Sequence, residues 1–355
     1  MVDVPTREEF NALAARVSDL EKETNPPEGL QAKRVCDALG LFGVNTFSSL
    51  IPDQNLWGSY PADYTPASVA AALDYLTGGT GHSFCVREYH YQDRAEMQKE
   101  WIERLQFTQP IPLKITMCVG ANGSPVDADS MIGMSAVWFE GLNEPNTDFG
   151  SGQVPFNTTV AIQQTVWQDG TSGVVMGPSI VAGMPHPEGW IEQYCGTPEN
   201  LTFLNSLMSI GNGHLYPPDH PDAVGVSVSE YIGGLWSVYA NHPIALTEYH
   251  PTLFNSYGFA PGQSGWSGDR DAYYLLCGLF RAIKCTVEGL WWYALFDYGS
   301  TYLCGLFPQG HADSPRPAAT ALRNLCRICA DTGADGTGPR LHGPSVDGPT
   351  RTSPC

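Results

Sequence analysis

The stretch AVWFEGL at residues 136–142 is a short apolar run, followed by TTVAIQQTVWQ at 158–168 and by GVVMGPSI at 173–180. The first and third segments are rich in apolar, aromatic and β-branched residues, which is typical of buried strands. The middle segment has helical character. A strand, a helix and a second strand in this order predict two parallel strands joined by a crossover helix.

The same alternation continues along most of the chain. Strand-like runs are predicted at residues 41–47, 84–91, 112–119, 136–142, 173–180, 213–216, 243–249 and 289–296. Helical segments separate them, for example at 68–76, 94–105, 158–168, 226–239, 272–284 and 318–330. Eight such units predict a closed (β/α)8 TIM barrel, with functional residues at the carboxyl ends of the strands. A doubly wound open sheet is the alternative, but no glycine-rich phosphate-binding turn follows the first strand.

The two ends of the chain differ from this central region. TREE at residues 6–9 has the form of a capping box, and Phe10, Leu13, Val17 and Leu20 repeat behind it at heptad spacing. So short a helix must either dock on the barrel or associate with copies of itself. We therefore predict an N-terminal amphipathic helix and linker at 1–30, a catalytic barrel at 31–332 and an irregular Gly/Pro-rich tail at 333–355.

Charge and hydropathy restrict the possible partners. The 355 residues contain 18 Lys+Arg against 37 Asp+Glu, for a net charge of −19. Such an acidic surface repels phosphate backbones and anionic lipid, so neither nucleic acid nor membrane is an expected partner. No apolar run approaches the roughly 18 residues of a membrane-spanning helix. The start, MVDVPTREEF, lacks the pattern of a signal peptide, so we expect a soluble protein that is cytoplasmic, or released or particle-associated without such a signal.

The ten cysteines are too few for a chain of this length to define a disulfide framework. We expect most of them to be buried as small hydrophobic residues. Cys326 and Cys329 have CxxC spacing, but no second Cys or His pair accompanies them, which disfavours zinc. We expect neither a metal nor an organic cofactor.

Two glutamates occur where predicted strands end: Glu144 after the fourth and Glu248 in the seventh. Hydrolysis of a glycosidic bond with retention needs two carboxyl groups about 5–5.5 Å apart. One protonates the departing oxygen, and the other attacks the anomeric carbon. Carboxylates at the ends of two strands can face each other at this scale across a barrel mouth. A general acid must also hold its proton near neutral pH, which burial or a neighbouring carboxylate favours.

The segments around both glutamates resemble a known family. FEGLNEPN at 139–146 resembles the strand-four acid/base signature of the retaining glycoside hydrolases of clan A, where an Asn-Glu pair, often Asn-Glu-Pro, closes the fourth strand. IALTEY at 244–249 resembles their strand-seven nucleophile segment. The resemblance covers roughly residues 32–330. It implies that Glu144 is the acid/base, that Glu248 is the nucleophile, and that Asn143 binds the sugar hydroxyl next to the anomeric carbon.

Two further strand ends fit the same resemblance. Arg87, near the end of the second strand, falls where the family often places an arginine that holds the nucleophile ionised; Tyr89 and His90 are alternatives in that role. His214 and Tyr216 resemble the strand-six His-x-Tyr pattern, in which the phenol contacts the nucleophile. A buried histidine and a packed tyrosine without a catalytic role are the alternative interpretation.

Aromatic residues are further candidates for substrate binding. Trp291 and Tyr293 share one face of the eighth strand by its period of two. Most family members have a tryptophan where Tyr293 aligns, so Trp292 is the alternative inward residue. Trp57 lies in the long loop after the first strand, where it could stack on the apolar face of a sugar ring.

These patterns predict a retaining O-glycosidase that hydrolyses a polysaccharide or oligosaccharide by double displacement. Extended loops after strands one, four and seven favour endo action. The alternative is a non-catalytic glycan-binding barrel, or a structural component of a larger assembly attached through its N-terminal helix. A metal-dependent barrel hydrolase is a third candidate, because histidines cluster around strands six and seven. However, no His-x-His closes the first strand, and the spacings fit no compact ligand set.

Overall fold

The computed structural model describes most of the predicted barrel. The described residues are 40–46, 65–80, 84–90, 95–108, 113–119, 137–147, 153–170, 173–180, 187–216, 228–239, 242–250, 268–297, 304–308 and 311–330. The predicted N-terminal helix, the C-terminal tail and Trp57 lie outside them. The domain boundaries and self-association through the helix therefore stay predictions.

All eight predicted strands are present, and they pair in parallel. They are β1 Phe42–Asn45, β2 Phe84–His90, β3 Leu113–Val119, β4 Val137–Glu140, β5 Val174–Met176, β6 Gly211–Leu215, β7 Ile244–Tyr249 and β8 Gly289–Trp292. Their spatial order is β5-β4-β3-β2-β1-β8-β7-β6. At the remaining seam, an isolated parallel bridge joins Met176 to Ile210, and Gly177 N donates to Ile210 O at 2.9 Å. The predicted (β/α)8 barrel is confirmed.

Helices alternate with these strands in the described part of the chain. They are α1 Pro66–Thr77, α2 Ala95–Thr108, α3 Phe156–Asp169, α4 Pro187–Cys195, α5 Pro198–Asn205, α6 Val228–Val238, α7 Gly268–Lys284 and α8 Pro317–Ala330. The helices α4 and α5, between β5 and β6, were not predicted. Each spans only about two turns, and so short a helix shows little periodicity. The start of α5 does carry a local signal, because the Thr197 side chain accepts from Asn200 N at 3.2 Å ahead of Pro198.

Local chemistry also sets both ends of α1. Thr65 and Ser68 form a capping box, in which Ser68 N donates to Thr65 Oγ1 at 3.2 Å and Thr65 N donates to Ser68 Oγ at 2.8 Å. Pro66 follows at the first helical position, where its missing N–H costs nothing. At the other end Gly78 adopts φ 64°, the left-handed conformation that ends many helices.

The barrel interior has two layers of opposite chemistry. Side chains two residues apart on one strand both point into the barrel, so a single strand can contribute to both layers. Cys85 and Arg87 of β2 lie in different layers, as do Ala245 and Thr247 of β7. We call the first the apolar layer; it consists of Cys85, Met176, Ile210, Ala245 and Trp291. The second, the polar layer, lies nearer the carboxyl ends of the strands and consists of Asn45, Arg87, Glu140, Asn212, His214, Thr247 and Glu248, all buried.

Outside the barrel wall the opposite strand faces pack on the helices in one large core. Within the described residues seven cysteines are buried, as expected for small hydrophobic residues: Cys85, Cys118, Cys195, Cys277, Cys285, Cys304 and Cys326. Among the described helices, none combines the length and apolar character that crossing a membrane requires.

Candidate active site

The two glutamates meet at the carboxyl end of the barrel. One carboxylate oxygen of Glu144, one of Glu248 and a ring nitrogen of His214 all lie within 4.8 Å of one another. The Glu144 side chain is 18% exposed and the Glu248 side chain 4%. Two carboxylates therefore face each other at the mouth, and Glu144 has the greater access to solvent.

The backbone after β4 turns sharply to place Glu144. This residue adopts φ 45°, in the left-handed region that few non-glycine residues occupy. Its N–H donates to Ser179 O at 3.1 Å, and its own carbonyl accepts from Thr147 N at 3.1 Å. The turn brings Glu144 Oε1 to 2.8 Å from His214 Nδ1. Such local strain, held by the surrounding hydrogen bonds, occurs characteristically at functional sites.

Glu248 is held by three donors. Arg87 Nη1 donates to its Oε1 at 2.6 Å, Tyr89 OH donates to the same oxygen at 2.8 Å, and Tyr216 OH donates to Oε2. His214 Nδ1 lies 3.5 Å from Oε2. Burial alone would raise the pKa of Glu248, but the charges of His214 and Arg87 and the two phenol hydrogen bonds outweigh it. The pKa of Glu248 therefore lies below its ordinary value, and the group is held as a carboxylate.

A third glutamate, which the sequence analysis did not single out, belongs to the same network. Glu140, at the end of β4, is fully buried and binds Arg87 through two bonds, Nε to Oε2 at 2.6 Å and Nη2 to Oε1 at 2.7 Å. Thr247 Oγ1 donates to Glu140 Oε1 at 3.1 Å. Burial opposes the charge on Arg87, but Glu140 and the other negative groups raise its pKa well above the ordinary value. The sequence does carry a signal for Glu140, because it is a glutamate inside an otherwise apolar strand.

Two carboxamides complete the shell around Arg87. Asn45 Oδ1 accepts from Arg87 Nη1 at 2.9 Å, and Asn143 Oδ1 accepts from Nη2 at 2.8 Å. Tyr89 OH also lies 3.2 Å from Asn143 Oδ1. The guanidinium is thus fixed in position and in turn orients the Asn143 carboxamide beside Glu144.

Of the three aromatic residues predicted on the eighth strand, only Tyr293 lies near the carboxyl groups. The Tyr293 ring stands perpendicular to the Tyr216 ring at 6.1 Å, so it lies beside the carboxylates; the Tyr293–Ala294 peptide bond is cis. Trp291 points the same way but lies in the apolar layer, fully buried and 6.1 Å from the Trp138 ring. Trp292 packs outside the barrel wall and donates to Cys304 O at 3.2 Å. As a correction, neither Trp291 nor Trp292 presents a surface to substrate.

The alternatives proposed for the Arg87 role separate in the same way. The Tyr89 phenol contacts Glu248, whereas His90 Nδ1 lies 3.2 Å from Gln98 Oε1 on α2. Arg87 itself makes the ion pair with Glu248.

Within the described residues, the group of side chains that could hold a metal ion is Glu144, His214 and Glu248. Its chemistry favours a different use. Glu248 already accepts hydrogen bonds from Arg87, Tyr89 and Tyr216, and the guanidinium charge beside it opposes a cation. The cluster is better suited to proton transfer and nucleophilic attack.

Among known proteins, similarity to this chain is found in solved structures and not in sequence. No protein-family model and no curated sequence matches the chain. A GH128 (subgroup I) endo-β-1,3-glucanase from Amycolatopsis mediterranei, solved with laminaripentaose, superposes with a TM-score of 0.54 at 17% identity, covering 81% of this chain and 99% of that one.

Two further solved structures are similar. A glycoside hydrolase family 5 enzyme from Prevotella bryantii has a TM-score of 0.53 at 10% identity, covering 83% of this chain and 99% of that one. The GH53 catalytic domain of Ignisphaera aggregans has a TM-score of 0.51 at 12% identity, covering 85% of this chain and 98% of that one. At these identities the likeness establishes the shared barrel fold; the neighbours themselves are glycoside hydrolases.

Proposed function

We propose that this protein is a retaining O-glycosidase that hydrolyses a neutral polysaccharide or oligosaccharide. The observation that carries the proposal is the approach of Glu144 and Glu248 oxygens to within 4.8 Å. Retaining enzymes hold their carboxyl groups about 5–5.5 Å apart, whereas inverting enzymes need about 6.5–9.5 Å to admit a water molecule between them. The nearest oxygens of Glu144 and Glu248 lie within the retaining spacing, which supports direct attack by a carboxylate.

In this mechanism Glu248 attacks the anomeric carbon while Glu144 protonates the departing oxygen. The bond to the leaving sugar breaks, and a glycosyl ester forms on Glu248. Glu144, now ionised, takes a proton from water, which attacks the same carbon and releases Glu248. The lowered pKa of Glu248 suits the nucleophile, because that group must be ionised at the start.

The surrounding side chains have distinct roles in the proposal. Arg87 holds Glu248 ionised and in place, and Glu140 is a positioning residue that fixes the plane of the guanidinium. His214 contacts Glu144 and positions its carboxyl group. Asn143 lies where it can bind the sugar hydroxyl next to the anomeric carbon, and Tyr293 lines the mouth beside Tyr216.

Charge and the neighbours support the proposed substrate class. A net charge of −19 disfavours sulfated or uronate-rich polymers. The Amycolatopsis enzyme is an endo-β-1,3-glucanase solved with laminaripentaose, which makes neutral glucans the first class to test. Endo action is proposed on the same ground and on the length of the loops after strands one, four and seven.

The test is hydrolysis of a panel of neutral glycans, read as release of reducing ends. Glu144→Gln and Glu248→Gln should fold and lose roughly three orders of magnitude or more in kcat/KM, because each removes a reacting group. Glu103→Gln, an exposed change on α2, is the control. Proton NMR of the first-formed product should show the anomeric configuration of the substrate. Inversion, or full activity in Glu248→Gln, would overturn the mechanism.

Binding of a glycan without turnover would instead support the non-catalytic glycan-binding barrel. The panel assay separates the two functions, since only an enzyme releases reducing ends.

A further inference from the structure

A cleft of about 400 Å³ opens beside the loop that carries Glu144. Its lining includes three aromatic and three carboxamide side chains: Asn146, Gln153, Phe156, Trp190, Gln193 and Tyr194. Among the described residues that line it, none is charged. The sequence analysis assigned no function to this region, and α4, which supplies Trp190, was not predicted at all.

The cleft lies on the catalytic side of the barrel. Each barrel helix follows a strand and therefore begins at the end where the strands carry their functional residues. Phe156 is the first residue of α3, and Trp190 lies in the first turn of α4. Asn146 follows Glu144 by two residues, so their Cα atoms are at most about 7 Å apart.

Hydrogen bonds tie the wall of the cleft to the catalytic loop. Val154 N donates to Pro145 O at 2.8 Å, next to Glu144 in the chain. Tyr194 OH donates to Val154 O at 2.6 Å. The rings of Tyr194 and Phe156 meet at 5.7 Å, nearly perpendicular. Two aromatic rings and the backbone of the loop thus form one fixed surface.

Trp190 is the exposed part of this surface. The residue is 53% exposed, although indole has a large apolar area, and it lies one helical turn before Tyr194 on the same face. An aromatic plane surrounded by carboxamides matches a sugar, whose C–H face is apolar and whose hydroxyls both donate and accept hydrogen bonds. The absence of charge among the described lining residues matches a neutral sugar.

We propose that this cleft is a glycan subsite that binds a neutral pyranose unit beyond the one at the scissile bond. It rests on the proposed function, because the bound unit belongs to the chain that Glu144 and Glu248 cleave. Trp190 stacks on the sugar ring, and the carboxamides of Asn146, Gln153 and Gln193 bind its hydroxyls.

The experiment measures binding without turnover, so that its outcome is independent of catalysis. The full chain carrying Glu248→Gln is run in native gels containing laminarin, xyloglucan or galactomannan. We expect at least one polysaccharide to retard it, and Trp190→Ala in the same background to weaken that affinity about tenfold, as removal of a tryptophan anchor commonly does. Trp190→Phe should retain part of the affinity.

The control is Trp167→Ala, which removes a second exposed tryptophan, 39% exposed near the far end of α3. It should leave the affinity unchanged. Equal affinity in the Trp190→Ala and Trp167→Ala proteins, or no retardation by any of the three polysaccharides, would overturn the subsite. Binding that depends on Trp190 in a protein that hydrolyses no glycan would uphold the subsite and refute the glycosidase.

Discussion

The apolar and polar layers of the barrel interior both take residues from β2 and β7, yet they have opposite chemistry. In the apolar layer Trp291 fills the space between strands, and Gly43 makes room for it: a Cβ at Gly43 would lie 2.3 Å from Trp291 Cδ1. In the polar layer Arg87 is shared by the buried carboxylates Glu140 and Glu248.

The difference separates stability from function. Apolar burial contributes to folding directly, whereas charges taken out of water are costly unless they are well paired. The polar layer holds two carboxylates on one guanidinium, an arrangement that folding alone does not require. We infer that the apolar layer stabilises the barrel and that the polar layer serves the proposed reaction.

The largest expected effect comes from Arg87→Met. It leaves the buried Glu140 and Glu248 without their cation, so the free energy of unfolding should fall by about 3–5 kcal/mol and activity should be lost. Urea denaturation and glycan hydrolysis measure the two effects. The double variant Arg87→Met/Glu140→Leu removes one of the two uncompensated carboxylates. It should recover part of the stability without activity, because Glu248 still lacks its cation. Recovered activity would show that the arginine is structural only.

Trp291→Ala is the counterpart in the apolar layer. The cavity should cost about 3–5 kcal/mol of unfolding free energy, as large aromatic deletions in cores do. The kcat of the folded protein should stay unchanged, since Trp291 does not reach the mouth. A folded Trp291→Ala protein with a collapsed kcat would show that the two layers do not act separately.

Glu140→Gln tests the positioning role in the polar layer. A small displacement of Arg87 misplaces Glu248, so kcat should fall about 100-fold while KM changes little. The variant should be non-additive with Arg87→Lys, because both act through the same guanidinium. Additive losses, or an equal effect on KM, would indicate a general structural defect.

The smallest expected effect is a shift in the pH profile. The acidic limb of kcat/KM reports ionisation of Glu248 in the free enzyme and should lie below the usual glutamate range. Tyr216→Phe removes a donor to the carboxylate, so the pKa of Glu248 should rise and the limb should move to higher pH. Tyr239→Phe, whose phenol donates to Asn212 O at 3.0 Å, should not move it.

The lowered pKa of Glu248 should also make the free energy of unfolding depend on pH. Because the pKa of Glu248 is lower in the folded protein than in the unfolded chain, its contribution to stability is present above the unfolded pKa. That contribution is lost as pH falls through the folded pKa. Acid titration of unfolding in wild type and Tyr216→Phe should show a smaller loss in the variant. An equal loss in both proteins would show that the Tyr216 phenol does not lower the pKa of Glu248.

Much of the barrel was predictable because its signal is local. Each strand is a short apolar run between polar or glycine-rich segments, and all eight were found, whereas the helices α4 and α5 are too short to show a period. The spacing of two also grouped Trp291 with Tyr293 correctly on one face. It could not show that Trp291 lies one layer deeper, because depth depends on how strands are staggered around the barrel.

The candidate site was predictable only in part for a similar reason. Glu144 and Glu248 are visible as strand-end acids in characteristic segments. The role of Glu140 depends on its ion pair with Arg87, which lies on another strand. That pairing is visible only in the three-dimensional structure. The register shift between Leu246 and Tyr249 in the β7–β8 pairing is equally non-local, and there both Thr247 and Glu248 reach the polar layer.

Trapping of the glycosyl ester tests the central claim most directly. An activated 2-deoxy-2-fluoro glycoside of the sugar found in the panel assay slows release of the intermediate, so the protein should gain the mass of one sugar. Peptide mapping should place that mass on Glu248, and the Glu248→Gln protein should gain none. A sugar attached to another residue, or rapid turnover of the panel substrate with no adduct, would contradict attack by Glu248.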